Sequence, residues 1–385
     1  MNSYLQKLFV LTVTCLAANG AMAQEELQIN GVARALIPVS ITGFSGETQS
    51  VLAFDLSVMG IRITSENPQY VVSGSAGGQL SGSLSLSGKS PILSRVYSGG
   101  SARAQAHSFA DDIIKELRGT APIFHTKIAY RCQQAGSSEV FVADFDGHNP
   151  IQLTHDNSLV DSPSWAPGGQ AIFYTSWKSG NTTQILEHDL SSGARKVFAG
   201  HPGSNLSPAV SPDGRRVAMI LSQGGSPNLW VANRDGSGLK QLTKSREEDS
   251  CPTWSPDSSE ICFVHRSGRA TLRKINASGG ESVPVSAAGV LGANLTGPNW
   301  SPDGKLIAFT VGSMNFTICV APASGGEAQK LVAGEDPCWA PNSRTIIFSR
   351  RTSDKRTLCL LDAPTKQVKD VRQISGSCSE PSWAR

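Results

Sequence analysis

The sequence predicts a β-rich, multidomain chain, a six-bladed β-propeller preceded by a small α/β domain, and three observations carry that expectation. A motif of the form x-P-x-W-S-P-D-G recurs six times, with its first prolines at 163, 208, 252, 298, 337 and 381. The intervals of 45, 44, 46, 39 and 44 residues are each the length of one propeller blade. Residues 24–120, by contrast, share no repeat with the rest of the chain.

In chain order, the first element is a leader. Lys7 precedes an apolar run at 8–18, and Ala21-Met22-Ala23 places small residues where a signal peptidase needs them, before Gln24. The run is shorter than the roughly 20 residues that span a bilayer as a helix. Residues 1–23 therefore read as a signal peptide, and the remainder as an exported chain with no membrane span.

Residues 24–120 form the expected α/β domain. Strands are expected at 31–42, 61–64, 70–73 and 93–97, a helix at 48–59, and a half-exposed hairpin at 79–86, where polar and apolar residues alternate. The clearest helix is 101–117, with Ala106, Phe109, Ala110, Ile113 and Leu117 on one face and an Asp111–Lys115 pair at i,i+4. Gly119-Thr120-Ala121-Pro122 stops it and marks the junction.

Residues 121–385 form the WD40-like propeller. Each Pro-Asp-Gly turn sets φ and supplies a residue free to take positive φ. A short apolar strand follows at 127–131, 171–175, 217–221, 261–264, 306–310 and 345–349, then a second at 139–143, 184–187, 228–232, 271–275, 317–320 and 357–361. Third strands are expected at 152–154, 241–243 and 372–375, with the proline–tryptophan segment as the fourth. On that reading the blades are complete in sequence order, with closure by strand exchange left open. Tryptophan gives each thin blade a large surface to bury against its neighbour.

Composition narrows the function. A net charge of +3 with 17% charged residues does not suit nucleic acid or an anionic membrane as the main partner. Seven cysteines follow the leader, without the close spacing of a zinc or redox site. Most read as small buried hydrophobes, with room for one or two disulfides of unassigned pairing. The sequence contains neither a G-x-S-x-G nucleophile elbow nor H-E-x-x-H, and His265-Arg266 reads as a solvated strand end. The strands expected to line a catalytic channel are mainly Ile, Ala, Val, Phe and Tyr. No cofactor, metal or enzymatic activity is expected.

The stretch 107–117, then Thr126-Lys127-Ile128-Ala129-Tyr130-Arg131, Val142-Ala143-Asp144-Phe145-Asp146-Gly147 and Ser162-Pro163-Ser164-Trp165 resembles the TolB family, periplasmic propellers of the Tol–Pal system. The resemblance implies binding of a Pal-like, peptidoglycan-associated lipoprotein across one propeller mouth, in support of outer-membrane integrity and envelope constriction at division. It also implies contact with an inner-membrane Tol protein through the N-terminal segment, here Gln24, Glu25, Glu26 and Leu27. Carried over, the mouth residues are Asn205, Ser207, Ser250 and Cys251. Repeat equivalence adds Asp161, Asp336 and Glu380, giving the rim an acidic character. The alternatives are an exported propeller that binds another protein or a glycan, or a channel-type propeller hydrolase.

Overall fold

The computed structural model describes residues 34–180, 182–290, 293–312 and 315–385. The leader and the segment Gln24, Glu25, Glu26 and Leu27 lie outside them.

The front unit is a five-stranded sheet with two helices. β1 (Ile37–Thr42) is followed by α1 (Gly46–Val58), β2 (Ile61–Ile63), β3 (Tyr70–Ala76), β4 (Leu80–Leu86), β5 (Pro91–Tyr97) and α2 (Ala102–Arg118). The sheet order is β2-β1-β3-β4-β5, with β1 parallel to both neighbours and the rest antiparallel. The alternating segment at 79–86 is a single strand between β3 and β5 rather than a hairpin, and its alternation reflects one face on the helices and one in solvent.

The predicted face of α2 is buried in full: Ala106, Phe109, Ala110, Ile113 and Leu117 all sit in the core. Ser101 caps the helix by accepting the Ala104 N–H, and Gly119 ends it in the left-handed region at φ 63°. The expected Asp111–Lys115 pair does not form. Asp111 instead accepts the backbone N–H groups of Ile123 and Phe124, which anchors the start of the propeller to the helix.

Six four-stranded sheets make the propeller. Blade 1 is built from Val160–Trp165, Ala171–Ser176, Gln184–Asp189 and Arg195–Ala199, and blades 2 to 5 repeat the arrangement. Each proline–tryptophan segment is thus the innermost strand of the blade that follows it, not the last strand of the one before. This overturns completeness in sequence order. The first three propeller strands, β6 (Lys127–Gln134), β7 (Ser137–Asp144) and β8 (Ile151–Gln152), lack an inner strand of their own. The closing strand Ser377–Trp383 supplies it, pairing antiparallel with β6. A disulfide between Cys132 and Cys378 crosses this seam. The third strand expected at 372–375 also fails: the outer strand of blade 5 is Gln367–Asp370, and 372–375 lies in the turn beyond it.

The core is distributed between blades. Separate apolar layers join blades 6 and 1, 1 and 2, 2 and 3, 3 and 4, and 4 and 5. The sixth layer is continuous with the front unit, running from Leu52, Phe109 and Ile113 through Tyr130 to Leu360 and Trp383. Trp254 donates its indole N–H to the Ala209 carbonyl of blade 2, and Trp165 donates to the Ser382 carbonyl of the closing strand. These two tryptophans thereby link their blades to the one before, whereas Trp300 donates within its own blade, to the Gly304 carbonyl. Burying such a side chain contributes on the order of 2–3 kcal/mol.

Gly82 on β4 shows how tightly the front unit is packed. A Cβ there would lie 2.4 Å from the Phe109 ring, which is fully buried. Gly82→Ala is expected to destabilise the chain by about 1–3 kcal/mol through overpacking, read as a lower denaturation midpoint. An unchanged midpoint would show that the ring has room to move.

Candidate partner-binding funnel

The six inner strands converge on a funnel of about 470 Å³. Its lining comes from the proline–tryptophan segments, not from the apolar strands that follow the Pro-Asp-Gly turns. One local device, repeated six times, shapes it. The residue before each repeat proline has left-handed backbone: Ser162 (φ 52°), Ser207 (51°), Cys251 (51°), Gly297 (56°), Asp336 (56°) and Glu380 (52°). At every one of these positions the pairing register slips. Proline has no N–H for the ladder, so the dipeptide bulges out of the sheet and toward the axis. Five of the six carry a side chain, and each costs about 1 kcal/mol to hold in this conformation.

The bulged residues hold one another. Glu380 accepts the Ser162 N–H at 2.7 Å across the blade 6–blade 1 boundary. Where the preceding side chain does not reach, a neighbouring threonine substitutes. The Ser207 N–H donates to Thr175 Oγ1 and the Asp336 N–H to Thr310 Oγ1, both at 3.1 Å. The funnel floor is therefore fixed by bonds between blades before any ligand arrives.

Its acidity is one-sided. Asp161, Asp336 and Glu380 lie on blades 1, 5 and 6, with Arg131 paired to Glu380 at 3.2 Å. Burial, with repulsion from Glu380 and Glu335, pushes the Asp336 carboxyl up to about 7. Burial and the neighbouring Asp161 raise Glu380, and burial raises Asp161. Asp336 gains negative charge as pH rises through about 7, and with it attraction for a cationic surface.

Of the residues expected at the mouth, Asp161, Ser207, Cys251, Asp336 and Glu380 line the funnel. Asp161 stands one position before the bulge, so Ser162 is the true repeat equivalent of Ser207, Asp336 and Glu380. Ser250 is half-buried on the strand Glu248–Trp254 but is not part of the lining. Asn205 is a correction. It is fully buried, and its side chain bonds the backbone of Thr183, His201 and Gly203, bracing blade 2 against blade 1. His265 lies inside the strand Glu260–Ser267, with Nδ1 in a structural hydrogen bond 2.8 Å from Asp249.

Sequence reading passed over Ser162, Pro163, Pro252, Gly297 and Asn299, all of which line the funnel. Their signal was present in the repeat alignment: Ser162 and Gly297 share the column of Asp336 and Glu380, Pro163 and Pro252 stand in the next, and Asn299 in the one after. Among the described residues, one group has His and carboxylate atoms close enough to consider for a cation: Asp55, His107 and Asp146. The Arg103 guanidinium already bonds Asp146 there, so the chain supplies its own cation.

A family model described as the TolB beta propeller domain matches residues 114–385. Tol-Pal system protein TolB from Anaeromyxobacter dehalogenans (strain 2CP-1 / ATCC BAA-258) is 35% identical over 156 residues, and so is that of Anaeromyxobacter sp. (strain K). The matched stretch is 40% of this chain and 36% of either relative, so it spans little more than a third of their length. The crystal structure of TolB from Acinetobacter baumannii superposes with a TM-score of 0.81 at 22% identity, covering 93% of this chain and 98% of that one. A putative TolB from Agrobacterium tumefaciens gives 0.52 at 15% identity, over 64% of this chain and 88% of its own. Both structural likenesses are of fold.

Proposed function

Because this chain belongs to the TolB β-propeller family, we propose that it is a periplasmic scaffold of a Tol–Pal system, working by holding protein partners rather than by catalysis. The funnel is the proposed seat of a Pal-like, peptidoglycan-associated lipoprotein, with Asp161, Ser207, Cys251, Asp336 and Glu380 in contact and Ser250 beside them. The N-terminal residues Gln24, Glu25, Glu26 and Leu27 are the proposed contact for an inner-membrane Tol protein. Held between these two partners, the chain would serve outer-membrane integrity and constriction at division.

The observation that carries this reading is the pre-set, one-sided funnel. Its floor is built by backbone bulges that are bonded blade to blade, at a strain cost that a mere packing core would not need. A rigid concavity binds with little ordering cost. Two further features support location in the periplasm. The leader at 1–23 reads as an export signal, and the Cys132–Cys378 bridge suits an oxidising compartment. Among the described residues no helix is long and apolar enough to cross a membrane.

The full chain, immobilised and exposed to envelope extract, is expected to retain a lipoprotein that carries a peptidoglycan-binding domain, identified by mass spectrometry. Retention without any such lipoprotein would contradict the scaffold role.

A further inference from the structure

The front unit meets the propeller through a buried polar knot that the funnel does not use. α1 contributes Asp55, α2 contributes Arg103 and His107, and the turn after β7 contributes Asp146 and His148. Asp55, His107 and Asp146 are all buried, Asp55 completely. His107 lies between two carboxylates from different units: Nδ1 is 2.7 Å from Asp55, and Nε2 is 3.6 Å from Asp146 Oδ2. The rings of Phe124 and Phe145 close over the imidazole, with centroids 6.5 and 5.6 Å away.

The hydrogen-bond inventory does not balance with both carboxylates ionised. A neutral imidazole has a single N–H and serves one of them. Asp146 is already provided for by the Arg103 guanidinium and the His148 backbone N–H. Asp55 has only His107, and its Oδ1 has no partner. An ionised Asp55 would be a fully buried carboxylate facing one neutral donor, an arrangement that burial disfavours. One additional proton removes the conflict. With Asp55 protonated, its O–H donates to Nδ1, and the imidazole Nε2–H turns toward Asp146.

We propose that the front unit is seated on the propeller by a proton held between Asp55 and His107, so that seating takes up a proton at neutral pH and loosens as pH rises. The other charged and titratable groups facing the pair are Glu47 on α1, Arg103 and Asp111 on α2, His125 in the loop before β6, Asp144 at the end of β7, and Asp146 and His148 in the turn after it. Burial raises Asp55 well above the ordinary carboxylate range, against the pull of Arg103. Burial and Arg103 push His107 down to about 4. Both directions put the proton on Asp55.

The sign of the pH dependence follows from proton counts. Unseated and wet, the carboxyl ionises near 3.9 and the imidazole near 6.5. Between those values the unseated pair is carboxylate plus imidazolium and holds as many protons as the seated pair, so seating is insensitive to pH. Above about 6.5 the unseated imidazole loses a proton that the seated pair keeps, and seating weakens with a limiting slope of tenfold per pH unit. Below about 4 the unseated pair gains a proton, and seating weakens again. The knot sits on the same hairpin, β6–β7, that receives the closing strand and its Glu380.

The test is amide hydrogen exchange of α1 and α2 in the full chain between pH 5 and 9, corrected for intrinsic rates. The opening constant is expected to be flat up to about 6.5 and then to rise toward tenfold per unit, while Asp55→Asn, which is neutral at every pH, flattens the rise. In the wild-type chain, nitrogen NMR of His107 should show a neutral ring protonated at Nε2 from pH 5 to 8, a readout that does not depend on the variant folding. A flat wild-type profile, a slope retained in Asp55→Asn, or a His107 ring titrating near 6.5 overturns the proposal.

Discussion

Replacing Cys132 and Cys378 by serine is expected to lower stability by about 2–5 kcal/mol and to make the chain indifferent to reductant. The bridge joins strands 246 residues apart in sequence. As a sheet strand the closing segment pairs with β6 alone, in the register Cys378↔Cys132, Ser379↔Arg131, Ser382↔Ala129 and Trp383↔Ile128. Without a crosslink, that strand must be recruited across a loop of the whole propeller, against its closure entropy. What it carries raises the stakes. Trp383 is buried, and its indole N–H donates to Thr126 at 2.8 Å. Glu380 and Pro381 form one sixth of the funnel floor. Denaturation of the wild type with and without reductant should give two midpoints, and the double variant should match the reduced one. The other cysteines among the described residues are unpaired, so they contribute no reductant effect of their own. Equal midpoints would mean that the ring closes without help from the bridge.

The six-fold motif made the propeller legible, because a repeat that cannot bury its faces alone implies its neighbours. The helix at 101–117 was legible for the same kind of reason, since its apolar face is set by sequence spacing alone. Closure was not legible. A count of strands is unchanged whether the proline–tryptophan segment ends one blade or begins the next, and only the pairing of the closing strand with β6 distinguishes them. The disulfide was hidden with it, since Cys132 and Cys378 occupy strand positions like those of the buried, unpaired Cys262 and Cys319. In the funnel the acidic residues were legible as repeat positions, but Asn205 was misplaced. A polar residue three positions before a repeat proline reads as rim, whereas the left-handed bulge at Ser207 turns the chain so that Asn205 points between blades. The knot at Asp55, His107 and Asp146 had no sequence signal, because it joins three segments brought together by the docking of the front unit.

Filling the funnel is expected to abolish partner binding at little cost to the fold. Ser207 is half-buried on the lining, and its backbone already holds the left-handed conformation that an unbranched side chain tolerates at about 1 kcal/mol. A tryptophan there adds bulk directly into a space of about 470 Å³ whose walls are bonded blade to blade and cannot retreat. Val197, half-exposed on the outermost strand of blade 1, provides the control, since a tryptophan there changes the rim far from the axis. The deciding measurement is a calorimetric titration of the intact chain with the soluble peptidoglycan-binding domain of its lipoprotein partner. One-to-one binding is expected in the wild type and in Val197→Trp, with affinity at least tenfold weaker in Ser207→Trp. Undiminished affinity in Ser207→Trp, or loss confined to Val197→Trp, would place the partner outside the funnel and contradict the account.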